Sequence, residues 1–347
     1  MEENKENYFI DFLRFLFSIC IVIYHGRQFA PDQGKAILLN ANLGVDFYFI
    51  ITGYLMMNTI NKSNETKMFK DYFSFMYKKI KNLLPGMIVA GFLGMILVYQ
   101  KNFFLNFGGC IYQLLRESLL GLFGFTYLIN CSWWYISVMI LVLLLLYPLA
   151  NKFRKKYSYF IAPVILLFTL FFVYYKKIDI NFPLGFQRPF INGFYKGLIF
   201  IPLGNIAFAL TEFINKFKEK FKKNFICFLS IFEILIYVVL FLNLQFRFLF
   251  NSSFAYLLTI NIALTFSGIT YTSKIFKHNF FKKLGRYGFY LYLCNTSVRV
   301  FFLNKYNVGD VSYWVLLFKF VFLTLLIGFI IYFIVEILYK RKRIKND

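Results

Sequence analysis

Asp11, Arg14, Ser18 and His25 interrupt the apolar run Tyr8–His25 at intervals of three, four and seven residues. On a helix that spacing lines all four along one stripe and leaves the other faces apolar. A charged group inside a membrane span costs on the order of 3 kcal/mol, so it usually faces an interior and marks function. An imidazole titrates near working pH and can serve as a general base. Arg14 and His25 are separated by about 16 Å of helix at 1.5 Å per residue. The plainer alternative is an Asp11–Arg14 structural pair near one interface and a wetted His25 at the other. A fifth candidate, Asp46, lies in the next apolar block, Gly44-Val-Asp-Phe-Tyr-Phe-Ile-Ile-Thr-Gly-Tyr-Leu55. It could orient His25 as a carboxylate orients a catalytic imidazole, or it could cap the start of that helix. Thr52 and Gly53 in the same block permit close helix packing.

The elements that must position these groups are membrane-spanning helices. The 347 residues are 59% hydrophobic and 16% charged, with a mean hydropathy of +0.61. A soluble domain needs a more polar skin. The apolar residues fall into blocks long enough to cross a bilayer: 8–25, 43–60, 83–99, 133–150, 158–175, 194–211, 225–242, 253–272, 287–303 and 313–338. The expected fold is an all-α integral membrane protein, one domain over 1–347, with about ten helices. Residues 103–130 do not fit this count; parity allows them no crossing or two, and their length and polar residues favour none, an external or re-entrant segment. The first block reads as a resident span rather than a cleavable signal peptide. Fifty Phe and 26 Tyr suit lipid and its interfaces.

The net charge of +23 does not point to nucleic acid, because the basic residues sit between the apolar blocks rather than on one amphipathic face. They group at Lys62 to Lys81, Lys152 to Lys156, Lys216 to Lys223, Lys274 to Arg286 and Lys340 to Lys345. The positive-inside rule places all five groups, and both termini, in the cytoplasm. Five scattered cysteines and two histidines make neither a metal site nor a disulfide framework. His278 reads as solvated in a basic loop, Trp133 and Trp134 as interfacial anchors. Gln187 and Arg188 are placed in an external loop within reach of a glycan.

The chain resembles the membrane-bound acyltransferase 3 family, which includes O-acetyltransferases of O-antigen and other surface polysaccharides. The resemblance rests on Asp11-Phe-Leu-Arg14, on Arg14 followed by ten residues and His25, and on the Gly44–Leu55 block. Trp134-Tyr135, Tyr147-Pro148 and Leu284-Gly-Arg-Tyr-Gly-Phe-Tyr-Leu-Tyr-Leu293 add to it. It implies an acyl-CoA donor, usually acetyl-CoA, as a substrate from the cytoplasm, with no permanently bound cofactor. It implies a sugar hydroxyl on a lipid-linked or surface glycan as acceptor, and a multi-pass protein of the cell membrane (the inner membrane in a Gram-negative cell). Arg14 would contact the donor, and Lys78, Lys79 and Lys81 would attract the CoA phosphates. His25 would act as general base on the acceptor or carry the acyl group covalently. The chain departs from the family pattern at Asn82, Met139 and Asn295, where Arg, an acidic residue and His are common. A transporter or flippase of a lipid-linked glycan is the alternative; the few intramembrane charges and lack of evident repeats weigh against it.

Overall fold

A computed structural model of the chain describes residues 7–63, 68–99, 107–109, 111–112, 133–180, 189–246 and 251–344. Nearly all of 103–130 lies outside these residues, as do Cys110, Cys131, Gln187 and Arg188.

The long helices are α1 Tyr8–His25, α2 Gly44–Lys62, α3 Met68–Tyr99, α4 Trp134–Phe153 and α5 Ala162–Tyr175. They continue as α6 Pro189–Lys216, α7 Lys223–Phe246, α8 Asn251–Ser267, α9 Asn279–Lys305 and α10 Tyr313–Ile344. The described residues contain no β-strand beyond one isolated bridge, Val308–Val311. Among them, eight helical stretches are long and apolar enough to cross a membrane. The other two expected spans are helical too, but α8 is short and α9 is too polar to qualify. The chemistry of α9 follows from its place. Its middle, Tyr290–Val298, is buried in the bundle, so Asn295, Thr296 and Ser297 meet protein rather than lipid.

The helices sort into a central set and an outer one. α5, α7 and α10 carry large exposed apolar side chains, among them Phe168 at 71% and Phe318 at 72% exposure. In a helical bundle whose backbone is satisfied internally, such faces are the lipid surface of a multi-pass membrane protein. α2 and α6 are mostly buried. Two contacts between close backbones hold the centre. α2 crosses α6 where Gly53 lies on Ile201 and Gly204, and Gly204 lies on Ile50 and Gly53. A Cβ at either position would meet main-chain atoms, so the space expected at Gly53 is used by a backbone. α1 lies along α9, where Gly285 meets Asp11 and Gly288 meets Phe15 and Ser18.

Two local features were not foreseen from the sequence. The third helix begins at Met68, not near residue 83, so Lys78, Lys79 and Lys81 are helical and Pro85 is inside the helix. A proline costs a helix its bond to the carbonyl four residues back, but α3 is long and packed on α9, α10 and α4, and tertiary packing outweighs the local loss. Arg154, in the second basic group, is not simply solvated. It follows α4 with φ of 45° and donates from Nη1 to the carbonyls of Ile60 and Ser63, at 3.2 and 2.9 Å. It thereby satisfies terminal carbonyls of α2.

Candidate active site

The site is built around α1. Asn7 caps the helix, its side chain accepting from the Ile10 N–H at 3.4 Å. Asp11 lies in the first turn, where the helix dipole favours a carboxylate. Arg14 Nη1 meets Asp11 Oδ1 at 2.9 Å, with the two side chains 30% and 18% exposed. The structural pair foreseen from the sequence therefore exists, and the guanidinium keeps one side free of that carboxylate.

Arg14 is held by its main chain as well. Tyr48 donates its hydroxyl proton to the Arg14 carbonyl at 2.5 Å. A phenol has one proton, so the 2.6 Å bond between Ser18 Oγ and Tyr48 Oη has Ser18 as donor. This links two members of the α1 stripe to α2. Tyr135 of α4 is buried, packs against Tyr48 and Phe49, and bonds Thr52 Oγ1 at 3.2 Å. The Arg14 charge reaches Tyr48, Tyr135 and Lys79 electrostatically. Residues of α2, α3 and α4 thus lie within electrostatic range of Arg14, and Gly288 of α9 packs beside its carbonyl.

The three α3 lysines do not act as one group. Lys79 is half-buried and lies within range of Arg14, whereas Lys78 and Lys81 are exposed. Helical geometry separates them: each residue turns about 100°, so 78 and 81 share a side that 79 does not. Lys81 Nζ lies 5.3 Å from the centre of the Tyr77 ring, a cation–π distance.

At the other end of α1, His25 is half-buried and turns a ring edge toward Tyr24, whose ring carries Arg27 at 4.2 Å. Its Nδ1 meets Arg299 Nη1 of α9 at 3.2 Å. The expected partnership between His25 and Asp46 is not formed. Asp46 is 1% exposed and its Oδ1 lies 2.7 Å from Nζ of Lys196, itself 2% exposed, on α6. Nor does Asp46 cap α2, whose first residue has no side-chain cap. The cause is the close α2–α6 crossing. It buries Asp46 against α6, where the Lys196 ammonium is its counter-charge.

Other candidates resolve plainly. Trp133 is 2% exposed and donates its indole N–H to the Leu293 carbonyl at 3.1 Å. Trp134 is also buried and packs on Gly193. Both indoles join helices inside the protein instead of anchoring it at an interface. His278 is exposed, and its Nδ1 accepts from the Phe280 N–H at 3.2 Å as the cap of α9. Met139 sits with Sδ 3.6 Å from Thr52 Oγ1. Asn295 is wholly buried and donates to the Tyr292 carbonyl at 2.7 Å. Asn82 is exposed.

Four polar side chains of the interior did not stand out from the sequence: Arg299, Lys196, Tyr48 and Glu233. Glu233 of α7 is wholly buried and accepts hydroxyl bonds from Thr265 and, at 2.7 Å, Thr272. Tyr237 bonds the same Thr265 hydroxyl at 3.0 Å. This cluster ties α7 and α8 to the helical turn Thr272–Ile275, which leads into α9. Charge within an apolar block is the signal that marks Arg299, Lys196 and Glu233.

A family model described as an acyltransferase domain matches residues 7–333, a range that contains every residue of the site. No curated protein and no solved structure matches the chain.

Proposed function

Because the chain belongs to the acyltransferase 3 family, we propose that this membrane acyltransferase moves an acetyl or other short acyl group from cytoplasmic acyl-CoA to a hydroxyl of a surface or lipid-linked glycan. The observation that carries this reading is the placement of Arg14 and His25 at two levels of one helix, each facing a different polar environment. Arg14 has Tyr48, Tyr135 and Lys79 around it. His25 has Arg299.

In this reading the chain crosses the membrane about ten times, with both termini in the cytoplasm of a cell whose inner or only membrane holds it. The basic groups between the helices support that orientation. Arg14 then lies in the cytoplasmic half, where acyl-CoA is made, and His25 lies near the far side, where glycans are decorated. Lys79 adds a positive charge beside Arg14, and Lys78 and Lys81 offer point charges to the CoA phosphates at the rim. His25 acts on the acceptor hydroxyl, either as base or as transient acyl carrier. Asp46 serves the fold through Lys196.

The test is mass spectrometry of surface glycans from cells with and without the chain. A mass difference of one acyl group, lost in His25→Ala at normal protein level, supports the reading. Full acylation in His25→Ala cells removes His25 from the chemistry. Identical glycans with and without the chain exclude the proposed acceptor class.

A further inference from the structure

The bond between His25 and Arg299 has a direction that the ring alone does not. α1 and α9 run parallel along their glycine contact. Asp11 meets Gly285 at one end and His25 meets Arg299 at the other, with the same sequence offset of 274. The register of two packed helices therefore sets the pairing; a flexible loop does not. Arg299 Nη1 lies 3.2 Å from His25 Nδ1. A guanidinium holds only N–H donors and keeps its charge at any working pH. Nδ1 must then be the acceptor, and the proton of a neutral ring must sit on Nε2.

We propose that Arg299 is the positioning residue of His25: it closes Nδ1 and fixes the neutral Nε2–H tautomer, so that the ring meets the reacting groups as a hydrogen-bond donor. This is the reverse of the arrangement in which a carboxylate takes Nδ1–H and leaves the Nε2 lone pair to receive a hydroxyl proton. The carboxylate expected in that role, Asp46, is paired with Lys196. A neutral imidazole that donates from Nε2 can polarise a carbonyl oxygen, here the acyl carbonyl of the donor. To accept a proton from the acceptor hydroxyl, the ring must release Nδ1, so the guanidinium has to withdraw first. The hydroxyl proton then enters at Nδ1 while Nε2 keeps its own, the hydroxyl oxygen bonds the acyl carbon, the carbon–sulfur bond to CoA breaks, and the thiolate leaves with the proton from the imidazolium. This consequence rests on the acyltransferase reading; the tautomer does not.

The chain has two histidines, which makes the tautomer directly observable. Full-length protein labelled with ¹⁵N-histidine in lipid nanodiscs gives two imidazole patterns in solid-state NMR, and His278→Gln assigns them. The expected result is a single neutral tautomer for His25, protonated at Nε2 only. Arg299→Leu should turn it into a mixture of tautomers, and Arg299→Lys, which retains a donor, should preserve it. A wild-type His25 protonated at Nδ1, or on both nitrogens, overturns the proposal, as does an Arg299→Leu spectrum identical to wild type. If Arg299→Leu fails to fold, the wild-type and Arg299→Lys spectra decide. In acyl transfer, Arg299→Leu should lower kcat a few-fold with little change in KM; an unchanged kcat removes the positioning role. Wild-type protein that transfers no acyl group sinks the functional reading, while the NMR result still stands or falls alone.

Discussion

Asp11–Arg14 and Asp46–Lys196 are both carboxylate–cation pairs at hydrogen-bonding distance, 2.9 and 2.7 Å. They differ in everything else. The first joins neighbours on one helix and is 18% and 30% exposed; the second joins α2 to α6 and is nearly sealed at 1% and 2%. A part-exposed pair on a helix is worth a few tenths of a kcal/mol, up to about 1. Arg14 can change partners at little cost to the fold. A sealed pair is different, because removal of one member leaves an uncompensated charge in an apolar interior. The same chemistry is thus easily rearranged in one region and structural in the other.

The sharpest way to break this contrast is Lys196→Met alone. It should destabilise the protein by about 3–5 kcal/mol, read as unfolding in detergent micelles. Joining it to Asp46→Leu should recover most of the loss, since the buried charge is gone. Equal instability of single and double variants would show that the pair is not what matters there. Next comes Arg14→Ala. It should cut acyl transfer by about 10²-fold or more while stability changes by less than about 1 kcal/mol. The opposite outcome, intact transfer in an unstable protein, would place Arg14 with the scaffold. Gly204→Ala should cost roughly 1–3 kcal/mol as an overpacking change, because its methyl would meet the Ile50 carbonyl and the Gly53 backbone. The smallest effect is expected for Asp11→Asn, below about 1 kcal/mol of stability in the same unfolding assay. A larger loss would mean that the α1 pair also carries the fold.

The same contrast explains which residues were legible. The α1 stripe was visible because helix periodicity is a local property, and the spacing of Asp11, Arg14, Ser18 and His25 states it outright. Nothing local states that Asp46 meets Lys196, 150 residues on, or that His25 meets Arg299 at a separation of 274. Asp46 is a candidate partner of His25, or a cap of α2, when it is judged only by its place in the helix that follows α1. That judgement leaves out α6, which the small residues Gly53 and Gly204 bring against α2. Trp133 and Trp134 were assigned to the interface by residue type, and the packing of α4 on α6 and α9 buried them instead.

The sequence by itself determined the class of the molecule and the stripe of α1 that carries its polar groups. Long apolar blocks force helices in a bilayer, since each backbone group must find its partner within its own segment. The polar spacing then fixes which face of α1 is polar. Only the tertiary structure decided which charges are paired. Pair choice depends on where helices from distant parts of the chain come close, and that is set by small residues and side-chain shape summed over whole interfaces. The parallel register of α1 and α9 is such a decision. It placed a cation, not a carboxylate, on Nδ1 of His25.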